Sequence, residues 1–359
     1  MTAQDFTRKG AGPVLVTGGS GFIGSNLADS LLSEGAEVIV FDNLSRPGVE
    51  QNLQWLIGRH GAKVQPIIGD VRDAEAVGRG IAEAGAVFHF AAQTAVTTSL
   101  VDPAEDFDIN ARGTFNVLDA VRRSGRKMPV IFASTNKVYG GLADIATAIE
   151  ADRHAPADPA LAAQGVDESR PLDFCTPYGC SKGAADQYVL DYTGSFGIPT
   201  AVLRMSCIYG PRQFGTEDQG WVAHFLIRAL AGETISIYGD GRQVRDILHV
   251  RDAVAAYRAV LDGIDDVKGQ AFNLGGGPGN AVSLKQVLAE ISALAGRDLS
   301  LDFGDWRQGD QVWFVADTQK LCRALGWAPT MGWRDGVRDL ANWLRENRAP
   351  ATEERRAIA

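Results

Sequence analysis

The chain is poor in the residues that build metal sites and disulfide frameworks. Among 359 residues there are four cysteines and five histidines. Cys175, Cys180, Cys207 and Cys322 form no C-x-x-C pair, and the histidines are scattered. That spacing suggests neither a disulfide framework nor a metal site. No apolar run reaches membrane-spanning length. Residues 1–12 lack the apolar core of a signal peptide. There is no block of Lys or Arg, and the net charge is −9. Nucleic acid and anionic membranes are therefore poor partners. A reducing, cytoplasmic protein is expected. No internal repeat is evident, and residues 1–12 and 349–359 read as loose tails.

What remains is ordinary for a soluble globular chain, with 45% hydrophobic and 22% charged residues. The length suggests two domains, or one large domain with an appendage. Val14-Leu15-Val16 reads as a buried parallel strand. It runs into Thr17-Gly18-Gly19-Ser20-Gly21-Phe22-Ile23-Gly24, and a helix is expected over Ser25 to Glu34. A second strand, Glu37 to Phe41, ends in Asp42. Glycine at 18, 21 and 24 allows a tight turn, close approach of backbone to a pyrophosphate and close helix–strand packing. The helix N-terminus then faces the phosphates. A glycine-rich turn between a strand and a helix, with an acid ending the next strand, predicts dinucleotide binding. Asp42 can accept from a ribose diol and would repel a 2′-phosphate, which favours NAD over NADP; Arg46 partly offsets that repulsion.

The alternation of strand and helix continues. Val64 to Ile68 leads to Gly69-Asp70-Val71, and Ala86 to Phe90 leads to Ala91-Ala92-Gln93. Asn110 opens a helix to about Arg123. Val130 to Ala133 delivers Ser134 and Thr135 to the carboxyl edge of the sheet, where ligands bind in open α/β sheets. Further on, Tyr178 and Lys182 stand four apart on an expected helix and so share a face. An ammonium beside a phenol lowers the phenol's pKa and makes an acid/base unit. Alone, the same spacing is also that of an exposed helix face.

Taken in order, Gly18/Gly21/Gly24, Asp42, Asp70, Asn110, Thr135-x-x-Val138-Tyr139-Gly140 and Tyr178-x-x-x-Lys182 resemble the extended short-chain dehydrogenases/reductases that act on nucleotide-sugars. The resemblance runs from about Pro13 to Arg348. It implies an α/β fold: a doubly wound, mostly parallel (Rossmann-type) sheet with a smaller C-terminal lobe for substrate. The expected division is 13–203 plus 244–274 for NAD, and 204–243 plus 275–348 for the nucleotide-sugar. It implies a catalytic triad of Thr135, Tyr178 and Lys182. The NAD contacts it implies are Gly18, Gly21, Phe22, Ile23, Gly24, Asp42, Asn43, Ser45, Arg46, Asp70, Val71, Ala91, Ala92, Gln93, Asn110, Ser134, Tyr178 and Lys182. Helices near 106–123 and 181–196 would pair with a second subunit, giving a homodimer or homotetramer.

Two features narrow the resemblance. Nucleotide-sugar 4,6-dehydratases carry Asp-Glu after the Thr, where this chain has Asn136-Lys137, which cannot act as that acid and base. The words Ser134 to Gly140, Tyr178 to Tyr188, Arg212-Gln213-Phe214 and Asp218-Gln219-Gly220-Trp221 are similar to the CDP-paratose 2-epimerase (CDP-tyvelose 2-epimerase) group. The 4-epimerases usually have Asn where Cys207 stands. This implies C2 inversion of a CDP-sugar through a transient 2-keto intermediate, with CDP favoured over UDP. A UDP-hexose or UDP-uronate 4-epimerase, a 4-ketoreductase and a non-catalytic dinucleotide-binding regulator are the alternatives. Thr97, Asn136, Lys137, Gln213, Gln219, Trp221, Arg245 and Arg307 are the substrate candidates. The two arginines match diphosphate oxygens, or else pair with Asp246 and Asp310. His249 reads as a structural turn residue. The long insertion 141–176 is expected to cover the substrate.

Overall fold

Seven short apolar runs build the principal sheet: β1 (Val14–Thr17), β2 (Val38–Asp42), β3 (Val64–Ile68), β4 (Ala86–His89), β5 (Val130–Thr135), β6 (Thr200–Met205) and β7 (Gln270–Leu274). The computed structural model describes residues 12–347; apart from Gly12, the two expected tails lie outside the described residues. The strands are parallel, in the order β7-β6-β5-β4-β1-β2-β3. The order reverses between β1 and β4, which opens a crevice at their carboxyl ends.

Side chains alternate across each strand. Val14, Val16, Val38, Val40, Ile131 and Leu203 join one core with helices Phe22–Ser33, Val49–His60 and Val250–Asp262. Leu15, Ile39, Phe41, Val130, Phe132 and Val202 join another with Ala74–Glu83, Gly113–Arg123 and Thr176–Phe196. Both faces of the inner strands are covered, so those strands are largely apolar and buried, whereas the edge strand β3 is half-exposed. Each such side chain contributes about 1.5–3 kcal/mol on burial.

A smaller sheet forms the lobe. Its strand Val244–His249 pairs with Ala281–Ser283, Trp313–Phe314 and Cys207–Tyr209. Helices Trp221–Ala231, Leu284–Ala295 and Trp333–Asn347 pack on it around Phe225, Leu226, Ile237, Val287 and Leu340. The expected division put 244–249 with the large sheet. An apolar run marks a strand but not which sheet takes it; the chain returns to the large sheet only with helix Val250–Asp262 and β7. Among the described residues no helix is long and apolar enough to cross a membrane.

Three local outcomes differ from expectation. The first helix begins at Phe22 because Gly21 is its N-cap. The helix expected from Asn110 is a composite: Pro103–Phe107, a π turn at Asp108–Arg112, then Gly113–Arg123. The third is the insertion. It contains the hairpin Thr147–Glu150/Arg153–Pro156 and a short helix Pro159–Gln164. Leu142, Leu161, Val166 and Leu172 pack with Tyr139, Trp313 and Phe314. Asn273 on β7 donates through Nδ2 to the Val166 carbonyl at 2.8 Å, and through its backbone N–H to Glu168 at 2.6 Å. The insertion therefore ties the edge of the large sheet to the lobe.

Candidate active site

Two adjoining cavities open at the carboxyl ends of the strands. The first, about 200 Å³, follows the glycine-rich turn. Gly18 has φ +66°, and a Cβ there would sit 2.7 Å from the Ala91 nitrogen. A Cβ on Gly24 would sit 2.2 Å from the Gly18 carbonyl oxygen. Both positions require glycine. Asp42 at the end of β2 accepts from the backbone N–H groups of Ser20 at 3.0 Å and Leu44 at 2.9 Å. Burial raises its carboxyl pKa against the pull of those bonds. Each oxygen keeps acceptor capacity, as a ribose diol requires. Asn43 donates to Asp70 at 2.9 Å, and Arg72 holds the Asp70 carboxyl down at about 2. These groups fit a dinucleotide.

Of the expected NAD contacts, all but two line this cleft: Gln93 and Asn110 do not. The Gln93 side chain is folded onto Ala95, taking its N–H and donating to its carbonyl. Asn110 is buried in the π turn and donates to Asp106 and Ser181, each at 3.1 Å. Arg46 reaches away from Asp42, donating to Thr94 at 3.0 Å and to Gln219 at 2.5 Å. Phe90, Thr94, Ile109 and Met205 also line the cleft and were missed. Phe90 and Met205 lie at or just past strand carboxyl ends, which was the available signal.

The second cavity is larger, about 400 Å³. All eight substrate candidates line it, together with Thr135 and Tyr178. Tyr178 borders both cavities, whereas Lys182 borders only the first. Pro177 sits in the first turn of helix Thr176–Phe196, which places Tyr178 there as well. None of residues 141–175 lines either cavity, so the insertion is not the expected cover.

The Tyr178–Lys182 pair departs from the sequence expectation. Burial pushes the Tyr178 phenol up to about 12, against the pull of the Thr135 hydroxyl. Burial also pushes Lys182 down to about 7. The ammonium donates to the Ala133 carbonyl at 2.7 Å and lies 4.1 Å from the centre of the Phe132 ring. Desolvation outweighs the mutual effect the spacing suggested, and in the protein alone the phenol is protonated.

After Thr135 the chain turns through Asn136–Tyr139. Asn136 donates to Gln311 at 3.2 Å, and Gln311 donates to the Gly140 carbonyl at 2.8 Å. Lys137 contacts Asp310 at 3.4 Å and the Gly309 carbonyl at 3.2 Å. Burial pushes Asp310 up, but Arg245 and Lys137 outweigh it and hold the carboxyl below its ordinary range.

Arg245 is buried and bonded to Asp310 at 2.6 Å. Arg307 meets Glu217 at 3.1 Å and Asp218 at 3.5 Å, with its guanidinium 3.9 Å from the Tyr238 ring centre. Both arginines thus face the cavity with carboxylate partners, and the loop acids Glu217 and Asp218 were not foreseen. His249 caps helix Val250–Asp262 and lines neither cavity.

A family model described as the NAD dependent epimerase/dehydratase family matches residues 14–275. Over 337 residues the chain is 42% identical to the CDP-paratose 2-epimerase of Salmonella typhi, covering 92% of this chain and 98% of that protein. It is 32% identical over 333 residues to the UDP-glucose 4-epimerase of Mycolicibacterium smegmatis, covering 92% and 98%. The crystal structure of Thermus thermophilus UDP-glucose 4-epimerase in complex with NAD superposes with a TM-score of 0.79 at 32% identity, covering 94% of this chain and all of that one.

Proposed function

The chain belongs to the NAD dependent epimerase/dehydratase family, and from that premise we propose that it inverts C2 of a CDP-3,6-dideoxyhexose, converting CDP-paratose to CDP-tyvelose or a close analogue. The observation that carries this reading is the pair Asn136–Lys137 beside Thr135. The Asn136 amide is bonded to Gln311 and Lys137 to Asp310. Neither of the two residues that follow Thr135 is a carboxylic acid, which elimination of water would need there. The 42% identity to a CDP-paratose 2-epimerase supports the choice of sugar.

C2 of such a sugar has no neighbouring carbonyl, so its C–H is not acidic and direct proton exchange is closed. NAD, when bound, supplies a hydride acceptor and donor, and in its oxidised form a positive charge that favours the Tyr178 phenolate. Gly18, Gly24 and Asp42 would hold it in the first cleft. Tyr178 takes the proton of the C2 hydroxyl as that carbon becomes a ketone, and returns it after the sugar has turned its other face. Thr135 orients the hydroxyl. Lys182 donates on the cofactor side of Tyr178. Arg245 and Arg307 exchange carboxylate partners for diphosphate oxygens.

The same triad serves inversion at C4, and the likeness to UDP-glucose 4-epimerases supports that second reading. A second copy of the chain is the proposed partner at the outer face of helices 103–123 and 176–196. There Phe107, Phe115 and Tyr188 are exposed, and the last two rings meet edge to face.

The test is proton NMR of purified protein with CDP-paratose, CDP-tyvelose, UDP-glucose or UDP-glucuronate, each alone and without added cofactor. Interconversion of the CDP pair is expected. Conversion of a UDP sugar instead would move the reading to C4. Turnover only with added NAD(P)H would make it a reductase.

A further inference from the structure

Behind the wall of the cofactor cleft runs a chain of buried polar groups that takes no part in the steps above. It starts at Ala91, whose backbone N–H donates to Thr17 Oγ1 at 3.3 Å. Thr17 Oγ1 lies 2.6 Å from His89 Nδ1, and His89 Nε2 lies 3.0 Å from Thr114 Oγ1. Thr114 Oγ1 lies 2.6 Å from the Asn110 carbonyl oxygen. The Asn110 amide donates to Asp106 and to Ser181, each at 3.1 Å, and Ser181 donates to Asp106. All six side chains, Thr17, His89, Asp106, Asn110, Thr114 and Ser181, are buried.

The direction of each bond follows from counting protons. A carbonyl carries none, so the Thr114 hydroxyl spends its proton on Asn110. The proton between Thr114 and the ring is then the ring's own, on Nε2. Thr17 already accepts from Ala91, and its hydroxyl proton points at a bare Nδ1. With the ring neutral and protonated at Nε2, every donor in the chain meets an acceptor. A second ring proton would compete with the Thr17 hydroxyl proton for the same 2.6 Å gap. Burial and the Lys182 ammonium disfavour that proton as well, holding the imidazole down at about 3. The ring also stacks on Phe132, with centres 5.5 Å apart, and Lys182 Nζ lies 4.1 Å from the centre of the same Phe132 ring.

We propose that His89 is a positioning residue for the reaction: held in a single Nε2–H tautomer, it ties the floor of the cofactor cleft to the helix turn that carries Tyr178 and Lys182. At one end Gly18 closes on Ala91, where a Cβ would sit 2.7 Å from the Ala91 nitrogen. The Thr17–Ala91 bond therefore fixes the surface on which the dinucleotide lies. At the other end Asn110 holds Ser181, which stands between Tyr178 and Lys182 in sequence. Dinucleotide and acid/base group are thereby kept in one register. His89 and Thr114 line neither cavity, so they act only through these neighbours. The inference rests on NAD occupying the first cleft and not on which sugar is the substrate.

The first readout is the pair of His89 ring-nitrogen shifts, from long-range proton–nitrogen-15 correlation of the NAD-loaded protein, assigned by their loss in His89→Gln. A protonated Nε2 and a bare Nδ1 are expected, unchanged from about pH 6 to 8. The second is exchange of bound NAD for labelled NAD in Thr114→Val, which removes the acceptor beyond the ring. Mixed ring tautomers are expected there, with NAD exchange roughly fivefold faster, the size of one lost hydrogen bond. Thr114→Ser keeps the hydroxyl and is expected to restore both. On whichever sugar nucleotide is turned over, kcat is expected to fall by a similar factor with KM little changed, because the chain ends on the cofactor side. If Thr114→Val lacks the wild-type circular dichroism, Thr114→Ala takes its place. A titrating ring or a protonated Nδ1 in wild type would overturn the proposal. So would unchanged NAD exchange in the folded variant, or a Thr114→Ser that behaves like it, which would make the role one of packing. Silence on every sugar would count against the proposed activity alone, since the ring shifts and NAD exchange are read without substrate.

Discussion

In the cofactor cleft, the groups that shape the site are largely backbone and short side chains at strand ends. Gly18 and Gly24 stand just past β1 and in the helix that follows it, and Ala91 and Ala92 stand just past the neighbouring strand β4. In the substrate cavity they are polar side chains from distant segments: Thr97, Asn136, Gln219, Arg245 and Arg307. Their charges are answered by one another, as in Arg245–Asp310 and Arg307–Glu217. The first kind of site is fixed by sterics and tolerates little. The second is fixed by exchangeable pairs and is adjustable. One cofactor with many sugars is the pattern such a division suits.

The contrast breaks most sharply at Gly24. Gly24→Ala drives a methyl into the Gly18 carbonyl, and the expected outcome is near-complete loss of retained NAD and of turnover. Release of nucleotide by acid, followed by its absorbance, measures this. A variant that still holds NAD would show that the cleft is as adjustable as the cavity. Tyr178→Phe, on the wall between the two sites, is expected to lose about 10²–10⁴-fold in kcat while retaining NAD. A rate near wild type would remove Tyr178 from the acid/base role. Arg307→Ala tests the adjustable side. Arg307 is partly exposed and shares its loop acids with solvent, so KM is expected to rise roughly tenfold with kcat little changed, about 1.4 kcal/mol of binding. A loss of NAD in this variant would show the two sites are not separately built.

The same contrast explains what could be read from sequence. The strands of the large sheet were legible because each is an apolar run ending in a turn. The glycine turn was legible because its spacing is local. The substrate candidates were found as cavity-lining residues, and Asp310 was named as a partner for the two arginines. That it pairs with Arg245, that Asp246 is bonded instead to Ser206 and the Gly277 N–H, and that Arg307 takes Glu217 was not foreseen. Glu217 and Asp310 lie 90 and 65 residues in sequence from Arg307 and Arg245 respectively, and only the fold brings them together. Asp106 was read as a helix residue because nothing local marks a carboxylate as buried. The insertion looked like a cover because its length was visible and its apolar partners, Trp313 and Phe314, were far away. The shifts of Tyr178 and Lys182 were misjudged for the same reason: four-residue spacing reveals a neighbour, whereas desolvation depends on everything around it.

Tyr178, Thr94 and Gln219 belong to the walls of both cavities, and Arg46 on the cofactor side holds Gln219 on the substrate side. A ligand in either chamber therefore presses on atoms that define the other. In thermodynamic terms the two occupancies are reciprocal: whatever factor the sugar nucleotide adds to the grip on NAD, NAD adds to the grip on the sugar nucleotide. For a catalyst whose cofactor is restored within each cycle, that reciprocity favours holding the dinucleotide most firmly at the moment its loss would strand a half-converted sugar.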